Sequence, residues 1–113
     1  MSEYSTNFTL SNGNLSMVRG DTLCFGLQFE GLNQALEEAC FTCKKNLDEN
    51  PVFQKSLNDG IIEIGSGAYA VRVAPEDTET LAPGAYFYDL EIRVNNDVFT
   101  VMRGILEILY DVT

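Results

Sequence analysis

Seven Lys and Arg stand against seventeen Asp and Glu, so the 113-residue chain carries a net charge of −10. That surplus repels phosphate backbones and anionic headgroups, so neither nucleic acid nor a membrane is an expected partner. A hydrophobic fraction of 45% with 21% charged residues describes a soluble folded chain with a real core. One domain over 1–113 is expected, with residues 1–14 either a flexible lead or an edge strand.

There is no histidine. This removes the commonest acid–base group and every Cys–His or Ser–His pairing. No glycine-rich phosphate loop is present either. An enzyme is therefore not expected, and no catalytic residue or cofactor is assigned. The start, Met1-Ser2-Glu3-Tyr4-Ser5-Thr6, has neither the basic nor the apolar region of a signal peptide. No apolar run approaches the ~20 residues of a membrane span. Cytoplasmic synthesis is the expectation, which leaves the sequons at Asn7 and Asn14 without meaning. Three cysteines, Cys24, Cys40 and Cys43, are too few and too odd for a disulfide framework and read as free thiols.

Along the chain, period two dominates. Leu23, Phe25, Leu27 and Phe29 alternate with polar or small residues, as in a strand with one buried face. Leu32–Cys40 has a short helical spacing that supports at most one turn. Asn58-Asp59-Gly60 separates Val52–Leu57 from Ile61–Ile64 and reads as a hairpin turn. Tyr69, Val71 and Val73 form a further alternating run. Pro75–Leu81 predicts another turn, with acids near its N-terminus. Tyr86, Tyr88, Leu90, Ile92 and Val94 give the clearest alternation of all. Asn95-Asn96-Asp97 then turns the chain into a final strand. In that strand the apolar parity changes from Phe99 and Val101 to Leu106, Ile108 and Tyr110, which predicts a bulge around Arg103-Gly104. Seven or eight short strands at regular spacing make this an all-β chain, an immunoglobulin-like antiparallel β-sandwich.

Leu81-Ala82-Pro83-Gly84-Ala85-Tyr86 has the form of the corner through which such sandwiches enter their penultimate strand. Leu81, Pro83 and Gly84 shape it, and the hydroxyl of Tyr86, or failing that Tyr88, bonds back to the corner backbone. The same region carries a narrower likeness. Arg19-Gly20-Asp21-Thr22, Thr42-Cys43-Lys44-Lys45, Tyr69–Thr78, Leu81–Leu90 and the closing Asp111-Val112-Thr113 occur in an order and spacing covering about Val18 to Thr113. In these features the chain resembles small bacteriophage virion modules related to the N-terminal Ig-like domain of phage baseplate upper proteins. The resemblance implies a non-enzymatic structural or assembly subunit (tail, baseplate or head–tail adaptor) made in the host bacterial cytoplasm and located in the virion. Other virion proteins, and copies of itself around an axis, are the implied partners. Such modules tether a larger receptor-binding or fibre region. No such region follows Thr113, so a free-standing subunit is the expectation. The alternative is an Ig- or fibronectin-type binding domain that recognises a protein or glycan through its loops.

Local motifs have plainer readings. Cys40-x-x-Cys43 lacks the second pair or the histidines of a zinc site, and on a strand its two thiols point to opposite faces; no metal site is assigned. Arg19-Gly20-Asp21 spells an integrin-type tripeptide, yet its position before a strand has a turn explanation. Asp89 and Glu91 lie ~7 Å apart on one strand face, a spacing paired carboxylates use, but alternation reads them as solvated. Asp48-Glu49 and Glu76-Asp77 lack the glycine-spaced ligands of a calcium loop. Phe87 is the candidate interface residue: it is an aromatic on a face otherwise made of Asp89, Glu91 and Arg93. Its other reading is cover by the Leu32–Cys40 connection.

Overall fold

The structure is a computed structural model that describes residues 11–112; the sequon at Asn7, most of the 1–14 lead and Thr113 lie outside the described residues. Among the described residues, nine strands run in the order β1 (Ser11–Asn12), β2 (Leu15–Val18), β3 (Leu23–Gln28), β4 (Glu38–Lys44), β5 (Phe53–Leu57), β6 (Gly60–Gly65), β7 (Ala68–Val73), β8 (Gly84–Val94) and β9 (Asp97–Leu109), with one helical turn, α1 (Pro75–Thr78), before β8.

β8 is the centre of the larger sheet. Its eleven residues alternate almost perfectly between buried and exposed, because antiparallel partners flank it on both sides. β4 pairs along one edge and β9 along the whole of the other. β5 extends the sheet beyond β4, while β1 and β2 add to the far edge of β9. Pairing continues from β5 into β6, so all nine strands form one ladder that folds over on itself; its second leaf, the smaller sheet, is β6–β7–β3, antiparallel throughout. The two sheets close on one core. Phe41 of β4 and Phe25 of β3 meet edge to face with ring centroids 5.7 Å apart. Phe41 also packs on Phe53 and Tyr88. Ile61, Val71, Leu90, Leu106 and Ile108 complete the interior with 0–1% of their surface exposed.

Three sequence expectations are corrected, the first, second and fourth below, and the third, at most one helical turn, is narrowed to none. First, pairing is not purely antiparallel: β1 and β2 run parallel to β9. Second, Asn58-Asp59-Gly60 is not an antiparallel hairpin. Ser56 and Leu57 face Gly60 and Ile61 in parallel register, with Ser56 and Asp59 exchanging backbone bonds. Asn58 and Gly60 take φ +65° and +100°, so the chain turns the corner from one sheet to the other, which Asn and Gly permit sterically. Third, Leu32–Cys40 contains no helical turn. Leu36 enters the core there, its amide donating to the Tyr69 hydroxyl at 2.9 Å. Fourth, the bulge in β9 lies earlier than expected. Leu90 faces Met102 while Glu91 faces Thr100, so the extra residue is Val101.

Gly104 has a different task. It faces Tyr88 across the sheet, and a Cβ there would overlap the Gly13 carbonyl oxygen. That same carbonyl accepts from the Tyr88 hydroxyl at 3.0 Å. The missing side chain is what lets the segment between β1 and β2 run close against β9.

Leu23, Phe25 and Leu27 are only half-buried, although Phe29 is 9% exposed. β3 is the last strand of its sheet and pairs with β7 alone, so half of each side chain lacks a neighbour. Leu90→Ala is expected to cost about 2–5 kcal/mol because its whole side chain is packed. Leu23→Ala is expected to cost less than half as much as Leu90→Ala in the same urea titration, and equal losses would show that β3 is covered as fully as β8.

Candidate functional site

The corner that leads into β8 is built from α1 outward. Asp77 caps the turn by accepting from the Ala74 amide at 2.7 Å. It also pairs with Lys55 at 2.6 Å, with only 13% and 16% of the two side chains exposed, which ties β5 to α1. Leu81 donates its amide to the Thr78 carbonyl and leans on the core, half-buried. Pro83 and Gly84 are half-buried, and Gly84 takes φ +144° where the strand begins. The Tyr86 hydroxyl donates to the Ala82 carbonyl at 2.6 Å while its ring is 3% exposed. Tyr88 is also buried, but its hydroxyl serves Gly13 rather than the corner. These residues set the height and angle at which β8 presents its outer face.

That face can be read off the register. Lys44, Phe87 and Ile105 form one row across β4, β8 and β9; Gln54, Thr42, Asp89 and Arg103 form the next; Ser56, Cys40, Glu91 and Thr100 the third. Glu38, Arg93 and Val98 complete it. Phe87 is 40% exposed. It sits in a concavity of ≈ 580 Å³ lined by Thr42, Lys44, Leu47, Asp89, Arg103 and Ile105 among others. The Leu32–Cys40 connection does not line it. The surround mixes signs: Asp89 faces Arg103, and Arg93 Nε lies 3.7 Å from Glu38 Oε1. Sequence reading found Phe87 but missed its apolar company. Ile105 is visible only once β9 is registered against β8, with Val101 bulged. Leu47, 70% exposed, comes from the β4–β5 loop, where no periodicity applies.

The other candidate sites do not assemble. Cys40 is half-buried on the outer face, bonded weakly to Thr42 and Gln54, whereas Cys43 is wholly buried inside. Cys24 is exposed on β3. Asp89 and Glu91 are both exposed on the outer face, Asp89 at the lining of the Phe87 concavity and Glu91 outside it. Among the described residues, no group of three or more His, Cys, Asp or Glu is arranged to hold a metal. Glu49 accepts from Asn46 in an exposed loop, and Asp77 is occupied by its cap and by Lys55. The Arg19-Gly20-Asp21 tripeptide is likewise engaged. Arg19 donates from Nε and Nη2 to Asp111 Oδ1 at 3.1 and 2.8 Å, and from Nη1 to the Leu81 carbonyl at 3.2 Å. This bridges the end of β9 to the corner, and the hydrogen bonds from Arg19 hold the Asp111 carboxyl below the usual carboxylate range. Among the described residues no helix is long and apolar enough to cross a membrane.

The larger sheet with its parallel first strand, the three-stranded second sheet, and the tyrosine that closes the corner together give the arrangement of an Ig-like sandwich. No family model matches the chain, and no curated protein does. Among solved structures, the chain is similar to the NK cell receptor NKp44 over 88% of its length and 98% of that chain, at 14% identity and TM-score 0.51. The fold is immunoglobulin-like. A second similar structure is the extracellular domain of the voltage-gated sodium channel beta4 subunit, at 13% identity and TM-score 0.49 over 99% of this chain and 100% of that one.

Two chemical probes read this Ig-like interior. Burial raises the Tyr86 phenol, with Cys43 adding to the shift, and burial raises Tyr88 as well. Removing the Tyr86 hydroxyl leaves the Ala82 carbonyl without its partner, so Tyr86→Phe is expected to cost about 1–3 kcal/mol. Unchanged denaturant midpoints in both the Tyr86→Phe and Tyr88→Phe variants would show that neither bond holds its segment.

The second probe is the Cys43 thiol, which burial pushes from 9.0 up to about 12. A raised folded-state value stabilises fully below the unfolded value and is lost as pH rises through the folded one. Stability is therefore expected to fall between pH 9.0 and about 12, with the two tyrosines acting in the same direction. Cys43→Ala should flatten that alkaline decline relative to its own value at neutral pH. An unchanged slope would place the titration elsewhere.

Proposed function

We propose that this chain is a non-enzymatic Ig-like module that works through protein–protein contacts, as a structural or assembly subunit of a bacteriophage or prophage particle. The observation that carries the contact reading is the outer face of β4, β8 and β9. Phe87, Leu47 and Ile105 form an apolar centre within a border of both charge signs. Interfaces are built this way, with an aromatic anchor inside a polar rim that fixes orientation. Lys44, Arg93 and Arg103 supply three of the chain's seven basic residues to this face, against Glu38, Asp89, Glu91 and Glu107. It is thus close to neutral on a strongly acidic chain, and fits a partner with an apolar centre and its own mixed rim. The virion assignment is supported by the ordered stretches from Arg19 to Thr113 described above.

A second reading, recognition of a protein through the loops, draws on the likeness to NKp44, described as a triggering partner in natural cytotoxicity. The two readings place the contact differently. The β8–β9 connection is a bare two-residue turn, Asn95-Asn96, with φ +54° and +66°, which offers little loop surface, whereas the sheet face is broad.

The test is co-purification of the chain with the particle proteins encoded beside it, compared with Phe87→Asp. Loss of a central aromatic is expected to weaken capture roughly 30-fold, the effect of about 2 kcal/mol. Capture that survives Phe87→Asp but fails when loop residues Leu32–Ala35 are replaced would favour the loop reading. Absence of the protein from purified particles would remove the virion assignment.

A further inference from the structure

The face around Phe87 is near neutral as a whole, but the concavity at its centre is not. Of the chain's seven basic residues, four are matched within the chain. Arg19 pairs with Asp111, Lys55 pairs with Asp77, Arg93 lies beside Glu38, and Lys45 stands over the Tyr86 ring at 4.7 Å. The other three, Lys44, Arg72 and Arg103, make no ion pair among the described residues. Arg72 stands on the outer face of the smaller sheet, where Gly26, Ala68 and Ala70 share the outward rows and no carboxylate does. Lys44 and Arg103 both line the Phe87 concavity. Lys44 Nζ donates to the Leu47 carbonyl at 3.4 Å, a neutral acceptor that leaves the charge unmatched. Arg103 is exposed and faces Asp89 in the register, yet the two do not bridge. Asp89 is the one carboxylate among the lining residues, so this small region is positive on a chain of −10.

We propose that the concavity receives a short acidic stretch of the partner protein, with an apolar side chain on Phe87, Leu47 and Ile105 and a carboxylate to either side of it. This rests on the reading of the face as a protein contact and adds the chemistry of what the face receives. Lys44 and Arg103 lie on the strands flanking Phe87, one row apart, which separates their backbones by about 12 Å from strand spacing and rise. An extended chain sends alternate side chains to one side, so its residues i and i+4 stand about 14 Å apart with i+2 between them. Glu-x-Leu-x-Glu therefore sets one carboxylate toward Lys44, one toward Arg103 and the leucine on the apolar centre. Carboxylate–guanidinium contacts are among the stronger hydrogen bonds available to such a segment. The chain's overall charge opposes an acidic approach, but exposed charges beyond about 8 Å are largely screened at physiological salt. A short stretch thus meets mainly the charges that line the concavity. Asp89 works against its carboxylates and limits the affinity.

The probe is the peptide acetyl-Glu-Ser-Leu-Ser-Glu-amide, titrated into the ¹⁵N-labelled full chain at about 0.15 M salt and followed by amide shifts. Shifts centred on Lys44, Leu47, Phe87 and Ile105 are expected, with affinity in the millimolar range. The peptide with Gln in place of both Glu residues should bind at least about tenfold more weakly. Arg103→Gln should remove that preference. Asp89→Asn should strengthen binding of the acidic peptide, a gain that loss of structure could not produce. Arg103 and Asp89 are exposed, so both variants should unfold at the parent's denaturant midpoint. No shifts up to about 10 mM peptide, well above the expected dissociation constant, would overturn the proposal. So would equal binding of the acidic and Gln peptides, or an Asp89→Asn chain that binds no better. Co-purification with the particle proteins separates this from the broader reading. Capture lost in Phe87→Asp but unchanged in Arg103→Glu would keep the contact face and remove the acidic occupant. Acid-selective peptide binding by a chain absent from purified particles would support the occupant and remove the virion assignment.

Discussion

Five buried side chains alternate along β8, and a strand with that pattern can only be satisfied between two others. Tyr86, Tyr88, Leu90, Ile92 and Val94 all lie at or below 6% exposure, and their backbone groups are paired on both edges. β4 and β9 must therefore match its register residue for residue, and their inward positions inherit its phase. Where β9 falls out of phase it inserts Val101 and regains the core with Leu106 and Ile108. The corner before β8 matters for the same reason. A strand that sets the register of the larger sheet needs a fixed starting point, and the Tyr86 hydroxyl on the Ala82 carbonyl supplies one.

How far the sequence revealed this follows from how many neighbours each element has. β8 was legible because burial on one face and pairing on both edges leave a clean alternation in residue type. β3 has the same alternation but one neighbour, so Phe25 and Leu27 look like core residues and are only half inside. Sequence records which side a residue faces, and not how much of the next strand is there to cover it. The bulge was placed late because Gly104 drew attention as an irregularity. Its real constraint is the Gly13 carbonyl passing over it, a contact between residues far apart in sequence. The parallel docking of β1 and β2 is of the same kind and has no local signature.

The candidate surfaces divide similarly. Phe87 stood out because a large aromatic interrupts a charged row. The outer face of the smaller sheet did not, since Gly26, Ala68 and Ala70 are individually unremarkable. Its character comes from the absence of carboxylates in the outward rows of three strands, visible only when they are set side by side. Arg19 shows the opposite case, in which a tripeptide that reads as a recognition signal serves as a clamp between Asp111 and the corner.

The docking of β1 and β2 along β9 has a bearing on solubility. Exposed strand edges invite endless end-on addition of further strands, the route to fibres. From Met102 to Leu109 that edge of β9 is already occupied. Parallel pairing occupies Met102, Arg103 and Leu106–Leu109, and in the gap the Gly13 amide bonds to the Arg103 carbonyl while Asn14 Oδ1 accepts from the Ile105 amide. Even where the added strand is interrupted, a side chain stands in for backbone. The second half of the long hairpin is thus closed to strand addition on that side, and growth of the larger sheet from Met102 to Leu109 would first require β1 and β2 to leave.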